Sequence, residues 1–351
     1  MTAEAAPATY QLRSGETLTV TVLEPPLGEW ADRVEFWWRD VRAPLVAGEL
    51  AATSVDRFFL GEIGGAYVGS MCYDTPRDTR DVATLEMVWT RSDQRRKGVA
   101  RALLRRTLAD FQASGGVAMY LCTTNPDAFA LYASEGFSEL IGDGMRFLAS
   151  GNEGFDQTYF LNAGPARARP AVWGDLARVT ALYNQAAPDW LVKDYPRRVF
   201  RDVRYESHFL RVWKPTHDGR GLALVLENPA RRVVAIASAI EADTYVEQHV
   251  LAVDFWACPA YLGQLGELLA AVIQAAATGS AELLEARVAA PDVAKRRLLE
   301  AAGFREEARL RERLRMGHER VDLCVYALGF DRHLPPAHAP GAYYGGRWRD
   351  E

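Results

Sequence analysis

The chain has 351 residues, of which 49% are hydrophobic and 25% charged, and its formal net charge at pH 7 is -5. This composition is typical of a globular protein long enough for two domains, and the acidic balance gives no reason to expect a nucleic-acid partner. No apolar run reaches the roughly 18 residues of a membrane span, and the N-terminus lacks the pattern of a secretory signal. Four scattered cysteines without a Cys-x-x-Cys pair favour reduced thiols in a cytoplasmic protein.

The first half of the chain alternates strand and helix patterns after residues 1–9, which we expect to be disordered. The predicted elements are a strand over 18–23, a helix over 29–50, strands over 57–63, 66–73 and 82–90, a helix over 99–113, a strand over 117–123, a helix from Asn125 to Gly136, and two strands within 138–161. Gly64 and Gly65 predict a tight hairpin. This order predicts a mixed α/β sheet with a parallel strand pair flanking helix 99–113.

Residues 84–100 run from an apolar strand through a basic loop into a helix. Three consecutive basic residues, from Arg95 to Lys97, precede Gly98 and Ala100. A helix start leaves backbone N–H groups unpaired and carries partial positive charge, so it attracts phosphate groups. The small residues at 98 and 100 let an anion approach the backbone closely. We therefore expect a phosphate or pyrophosphate site here.

The strand and helix pattern returns after a linker at 164–170. An offset of 167 residues aligns Gly136 with Gly303 and Trp89 with Trp256, and we expect this alignment to run without a gap. Such self-similarity predicts an internal duplication. The predicted division is a first domain over residues 1–163, a second over 170–332 and an extended tail over 333–351.

The two copies differ at the expected anion site. At the same offset, Gly98 becomes Leu265 and Ala100 becomes Glu267, which would repel an anion. The second copy thus keeps the fold pattern but loses the chemistry of the loop. We expect the function to lie in the first domain.

Two motifs of the first half resemble the GNAT superfamily of N-acetyltransferases. Arg95-x-x-Gly98-x-Ala100 is similar to the family's pyrophosphate loop, Gln/Arg-x-x-Gly-x-Gly/Ala. A second family signature follows as Asn125-x-x-Ala128-x-x-Leu131-Tyr132-x-x-x-Gly136-Phe137. The chain therefore resembles two tandem GNAT-like domains, of which the first is intact and the second degenerate.

The resemblance implies an N-acetyltransferase in which a primary amine directly attacks the thioester of acetyl-CoA, or of another small acyl-CoA. The residues it implies for the cosubstrate are Val88, Trp89, Thr90, Arg95, Arg96, Lys97, Gly98, Val99, Ala100 and Asn125. Tyr132 is the candidate general acid for the leaving thiolate, and Glu86 is the candidate general base for the amine. At the 167-residue offset these two residues become Leu299 and Val253.

Each of these roles has a structural alternative. Tyr132 could be a half-buried helix residue, Glu86 a strand carboxylate paired with an arginine, and Cys122 a core thiol rather than a nucleophile. Trp38 could be partly buried under a loop or form a wall of an acceptor pocket. For the whole chain, the alternative is a non-catalytic acyl-CoA sensor or scaffold.

The expected partners are a small-molecule or peptide amine, without nucleic acid or membrane. The six histidines form no cluster with ligand spacing, so no metal site is expected. The expected assembly is a monomer or a homodimer.

Overall fold

The structure is a computed structural model that describes residues 7–36, 39–140, 142–161, 163–185, 190–194, 199–200, 206–241, 247–279, 281–316 and 318–330. Trp38 and the tail at 333–351 lie outside the described residues.

The first half of the chain forms an eight-stranded sheet with four α-helices. Its strands are β1 Ala8–Gln11, β2 Thr17–Leu23, β3 Ser54–Ile63, β4 Ala66–Pro76, β5 Val82–Thr90, β6 Ala118–Cys122, β7 Phe137–Glu139 and β8 Gly144–Leu148. Its helices are α1 Arg42–Ala47, α2 Val99–Ala113, α3 Pro126–Ser134 and α4 Phe155–Tyr159. The spatial order is β1-β2-β3-β4-β5-β6-β8-β7, and β5 and β6 are parallel as predicted.

The second half forms a seven-stranded sheet and a separate two-stranded one. Its strands are β9 Arg167–Pro170, β10 Val192–Asp194, β11 Val199–Phe200, β12 Gly221–Glu227, β13 Val233–Glu241, β14 Val250–Ala257, β15 Leu283–Ala289, β16 Arg305–Met316 and β17 Glu319–Gly329. Its helices are α5 Leu176–Tyr183, α6 Glu206–His217, α7 Leu265–Thr278 and α8 Val293–Ala301. Strands β10 and β11 pair only with each other in the described sheets.

The two large sheets have the same topology. The second sheet has the order β9-β12-β13-β14-β15-β17-β16, which repeats β2-β3-β4-β5-β6-β8-β7 strand for strand. Each sheet contains one parallel pair, β5 with β6 and β14 with β15. Gly136 and Gly303 follow equivalent helices with φ of 97° and 95°. The mixed α/β fold is thus confirmed, and its repetition fits a tandem arrangement.

Pro259–Thr278, a 3-10 turn that continues into α7, is the one described helical run that is long and apolar enough for a membrane span by composition, with a mean hydropathy of 1.2. Leu265, Leu269 and Val272 on this run are buried, and α7 packs against β12 and β13. This packing is that of a core helix.

The predicted helix over 29–50 is wrong as a single element. Short 3-10 turns at Gly28–Asp32, Arg39–Val41 and Glu49–Ala52 flank the six-residue α1. A proline fits only the first turn of a helix, because it lacks the N–H and clashes with the preceding turn, and Pro44 lies in the first turn of α1. Gly48, with φ of 78°, ends α1. Val34 and Val41 of this segment are nevertheless buried.

Two predictions at the boundaries of the first half also need correction. Residues 1–9, expected to be disordered, contain the start of β1, which pairs with β2. The linker at 164–170 contains β9, which forms the sheet edge beside β12. Short segments of this kind depend on partners that are distant in sequence. The two strands predicted within 138–161 are confirmed as β7 and β8, and α4 follows them.

The alignment without a gap is also wrong, because β5 contains one residue more than its counterpart. Across from β4, Trp89 pairs with Ser70 and Glu86 with Cys72, so two residues of β5 face one of β4. The pairing of β13 with β14 is regular, and places Asp254 opposite Ser238. By this register, the structural counterpart of Glu86 is Asp254 and not Val253.

Helix α5 joins the two sheets. All eight of its residues are buried, and it packs against β4, β5 and β6 on one side and β13 on the other. A helix that is buried all round belongs to a core, not to a surface. Next to it, Trp173 Nε1 donates a hydrogen bond to Asp56 Oδ1 at 3.2 Å, and Asp78 pairs with both Arg178 and Arg231.

Asp56 at this junction predicts an unusual pH dependence of stability. Burial raises the pKa of its carboxyl from 3.8 to about 6, although Ser54 and Trp173 donate hydrogen bonds to it. Because the folded state binds this proton more tightly than the unfolded state, the Asp56 carboxyl contributes most to the free energy of unfolding below about pH 4. This contribution is lost as the pH rises through about 6. We expect Asp56→Asn to raise the free energy of unfolding at about pH 8 by up to about 3 kcal/mol, and to change it little at about pH 4. Urea unfolding at both pH values measures the difference. A similar destabilisation at both would show that the carboxylate's hydrogen bonds outweigh its burial.

Candidate functional site

The candidate site begins where the parallel strands separate. Strands β5 and β6 pair over only three residues each, Val82–Thr84 with Ala118–Tyr120. Beyond Thr84, β5 continues for six residues outside the ladder with β6. We call this opening the first fork. It leaves an edge of β5 available for hydrogen bonds to a ligand, because an extended molecule can pair with a free strand edge.

A β-bulge lies inside the first fork. Met87 and Val88 are the two residues of β5 that together face one residue of β4, and Met87 has φ of 53°. A bulge disrupts the ladder locally and bends the strand. Within the described sheet, the backbone of Met87 and Val88 therefore lies outside the registered pairs on both sides.

The basic loop leads into α2 with a left-handed glycine. Gly98 is the N-cap of α2, has φ of 101°, and the helix start has no side-chain cap. A Cβ at this position would meet only Leu12 Cδ2, at 4.0 Å, so backbone conformation and not lack of space favours glycine here. The N–H groups that begin α2 are consequently open to an anion.

A cavity of about 750 Å³ unites the first fork, the loop and α3. Every predicted site residue lines it except Glu86 and Lys97; those that do are Val88, Trp89, Thr90, Arg95, Arg96, Gly98, Val99, Ala100, Asn125 and Tyr132. The two sequence motifs, 25 to 30 residues apart, thus meet at one cavity.

Lys97 is directed to the N-terminal hairpin. Its Nζ forms an ion pair with Glu16 at 3.1 Å and donates a hydrogen bond to Gln94 Oε1 at 2.9 Å. This contact ties the turn between β1 and β2 to the basic loop.

Arg13 and Arg101 also line the cavity, and the sequence interpretation missed both. Arg13 lies in the turn between β1 and β2, whose position depends on a hairpin that the sequence did not predict. Arg101 lies on α2. Its position in the first turn of the helix, beside the motif, was a signal that could have identified it. With Arg95 and Arg96, these residues form a cationic rim.

Asn125 begins α3 as a helix cap. Its Oδ1 accepts hydrogen bonds from the N–H groups of Asp127, at 2.9 Å, and Ala128, at 3.3 Å. Pro126 occupies the first helical position, where its missing N–H costs nothing. This capping fixes the direction of α3 and so places Tyr132 at the cavity.

Tyr132 is 5% exposed and lies beside Phe137, with ring centroids 5.6 Å apart. Burial and the negative charge of Glu86 both raise the pKa of its phenol. The hydroxyl therefore keeps its proton at neutral pH and can donate it.

Glu86 lies on the opposite face of β5 from the α2 helix. Strand alternation places it with Val82 and Thr84, on the face that α5 covers. Cys72 stands opposite it on β4, and burial, with nearby carboxylates including Glu86, raises the pKa of that thiol. Since Glu86 also raises the pKa of Tyr132, the two candidate catalytic groups interact across the strand.

The remaining predicted groups are simple to place. All four cysteines are free, and Cys122 is half-buried at the end of β6. Within the described ranges, no group of three or more His, Cys, Asp or Glu side chains is arranged to hold a metal ion.

Comparisons with known proteins bear on the same region. Residues 19–137 match the family model of the acetyltransferase (GNAT) family. No curated protein matches the chain. Among solved structures, yncA of Salmonella typhimurium, determined with its cofactor acetyl-CoA, is 21% identical, with a TM-score of 0.43, over 49% of this chain and 98% of its own.

Two further solved structures are similar to this chain. The ribosomal-protein-alanine N-acetyltransferase of Brucella melitensis is 23% identical, with a TM-score of 0.41, over 47% of this chain and 99% of its own. A GNAT superfamily phosphinothricin acetyltransferase of Sinorhizobium meliloti, in complex with acetyl-CoA, is 14% identical, with a TM-score of 0.43, over 51% of this chain and 98% of its own. The match to the GNAT family model contains the first fork, the basic loop and α3, so the candidate site lies within the part of the chain that is similar to this family.

Proposed function

We propose that the first domain, residues 1–163, transfers an acetyl or other small acyl group from acetyl-CoA to a primary amine. The observation that carries this proposal is the cavity in which an uncapped helix start, an unpaired strand edge and a buried phenol meet. It lies within a GNAT-family match. The second domain, residues 170–332, would not carry out the reaction.

The residues of the cavity fit acetyl-CoA. The start of α2, with Arg95, Arg96 and Arg13 near it, suits a multiply charged phosphate group. The edge of β5 from Val88 to Thr90 suits an amide-containing arm, because a strand edge offers alternating donors and acceptors. When bound, acetyl-CoA supplies an acyl group activated as a thioester.

Two side chains would move protons. The Tyr132 hydroxyl, which its raised pKa keeps protonated at neutral pH, would give its proton to the departing sulfur and regain one from the nitrogen of the new amide. The Glu86 carboxylate would take a proton from the incoming ammonium group. Backbone N–H groups at the bulge of Met87 and Val88 would stabilise negative charge on the acyl oxygen.

The acceptor would approach Glu86, which is half-buried although α5 packs on the same face of β5. Asp56 and Asp74 lie on the same face, opposite each other on β3 and β4. Burial raises the pKa of both carboxyls, that of Asp56 to about 6 and that of Asp74 well above its ordinary value. The proposed acceptor is a small-molecule or peptide amine. The free thiols agree with a cytoplasmic location.

The decisive experiment mixes the purified chain and acetyl-CoA with a panel of amines, and measures release of the CoA thiol. The panel should include polyamines, aminoglycosides, amino acids and peptides with free N-termini. Turnover with one class would support the proposal and name the acceptor. Tight binding of acetyl-CoA with no turnover across the panel would favour an acyl-CoA sensor.

Glu86→Gln is expected to lower kcat/KM for the amine by about 100-fold at neutral pH. The deficit should shrink as the pH rises, because an amine that is already neutral needs no base. Rate profiles between about pH 6 and 10 measure this, with acetyl-CoA affinity unchanged.

Asp74→Asn is the matched control for Glu86→Gln, since Asp74 lies on the same face but its raised pKa favours the neutral form. It should behave like the unaltered chain at neutral pH. If both variants lose kcat/KM equally, the loss comes from disturbing this face of the sheet and not from removing the Glu86 carboxylate.

A further inference from the structure

The second domain has a fork of its own. Strands β14 and β15 pair over three residues each, Val250–Ala252 with Leu283–Glu285, as β5 and β6 do. Helix α8 stands 167 residues after α3 at both of its ends. We call the opening between β14 and β15, with the space that reaches from it to α8, the second fork. It corresponds to the first fork and the cavity that extends from it to α3.

A lysine fills part of the second fork. The counterpart of Ala128, which lines the first cavity, is Lys295 on α8. Lys295 is 1% exposed, and its Nζ forms an ion pair with the buried carboxylate of Asp254. The same Nζ lies 5.3 Å from the ring centroid of Phe255. The side chain thus bridges α8 and β14.

The backbone of residues 190–193 is bound to the same helix. The N–H groups of Leu191 and Val192 donate to the carboxylate of Asp292, at 2.8 and 3.4 Å. The carbonyl oxygens of Lys193 and Val192 accept from Lys295 Nζ, at 3.3 and 3.5 Å. Asp292 is the N-cap residue of α8, at the position that Asn125 holds in α3.

Side chains of this segment reach the other wall of the second fork. The Trp190 ring meets the Trp256 ring edge-on, with centroids 5.2 Å apart. Lys193 Nζ lies 4.6 Å above the Trp256 ring. Val192 and Lys193 are each 1% exposed. The segment is therefore enclosed between β14 and α8.

We propose that residues 190–193 are a built-in occupant of the second fork, held by Lys295 and Asp292, so that only the first domain binds an acyl-CoA. The backbone of this segment makes the hydrogen bonds to Asp292 and Lys295 that a ligand in the second fork would otherwise make. The conclusion on stoichiometry rests on the proposed function, whereas the occupancy itself does not.

Hydrogen exchange tests the occupancy directly on the full chain. In the unaltered protein, the amides of Leu191 and Val192 should exchange slowly, as buried and bonded amides do. Lys295→Ala with Asp254→Asn removes both charges, so that neither is left buried and unpaired. This double variant should speed exchange at 190–193 by about tenfold or more, with exchange in α2 unchanged.

Arg297→Ala on the exposed side of α8 is the control, and should leave exchange at 190–193 as it was. If the double variant does not fold, Asp292→Ala provides the same readout through the two N–H groups. Exchange of 190–193 at the rate of an exposed peptide in the unaltered chain would overturn the proposal.

Calorimetric titration with acetyl-CoA gives the stoichiometry. One site per chain is expected, and two sites would overturn the proposal. If no acetyl-CoA binds, the proposed function fails, and the exchange rates alone decide whether the second fork is occupied.

Discussion

Tyr132→Phe is expected to lower kcat by about 100- to 1,000-fold, while the Kd for acetyl-CoA stays nearly the same. Phenylalanine keeps the ring that packs against Phe137, at 5.6 Å, and loses only the O–H that would protonate the sulfur. Steady-state kinetics with the best amine of the panel and a calorimetric titration measure the two quantities separately.

The pH dependence of the unaltered chain follows from the same residue. Burial and the charge of Glu86 raise the pKa of the Tyr132 phenol. Loss of its proton should therefore lower the rate only at pH values above those at which a tyrosine usually titrates. A fall in rate within that usual range would need another group to explain it.

Tyr120→Phe is the matched control for Tyr132→Phe. Tyr120 is also buried in the first sheet, on β6, but does not belong to the lining of the cavity. Its variant should keep the rate of the unaltered chain. If Tyr132→Phe also keeps that rate, the general-acid assignment is wrong, although binding at the cavity would stand.

Ala100→Glu is expected to raise the Kd for acetyl-CoA by about 100-fold or more. The new carboxylate would lie in the first turn of α2, at a residue that lines the cavity. There it would repel phosphate groups at close range. An acidic residue in the first turn of a helix stabilises the helix by about 0.3–1 kcal/mol, so the fold should not suffer. Thermal unfolding of the variant verifies this, and calorimetric titration gives the Kd.

Ala100→Gln separates charge from size, because glutamine is similar in volume to glutamate and neutral. Its Kd should lie between those of the unaltered chain and Ala100→Glu. Binding that is unchanged in both variants would mean that the start of α2 is not the anion site.

The strongest local patterns predicted the centre of the first domain well. Strand β5 and helix α2 have the predicted bounds, Val82–Thr90 and Val99–Ala113. Their apolar periods are long, and a helix stop at Ser114 to Gly116 ends α2. The turn at Gly64 and Gly65 has positive φ at both residues, as a tight hairpin requires.

The bulge in β5 could not be predicted from the sequence. Met87 and Val88 are ordinary strand residues, and their types do not indicate that β5 has one residue more than β4 at this point. A bulge is defined by the register with the neighbouring strand, which the sequence of β5 alone does not contain. A constant offset between the two repeats makes no allowance for the extra residue of the bulge. For that reason it aligned Glu86 with the apolar Val253. The carboxylate at Asp254 became visible only through the pairing with Ser238.

Motif residues could be assembled into a site because two helix starts bring them together. Gly98 and Asn125 each begin a helix at the carboxyl end of a parallel strand, where the strands of such a sheet present their ligands. Arg13 reaches the same place through a short hairpin that carries no motif. The roles of these residues remain predictions until binding and kinetics are measured.

Helix α5 makes the first half of the chain depend on the second. It belongs to the second half of the chain, yet it covers the strands that carry Glu86. Without α5, that face of β4 to β6 would be exposed to water. Loss of the second half would therefore expose the strands that carry the candidate site, whatever the second half itself binds. This dependence gives a physical reason for the two halves to remain on one chain.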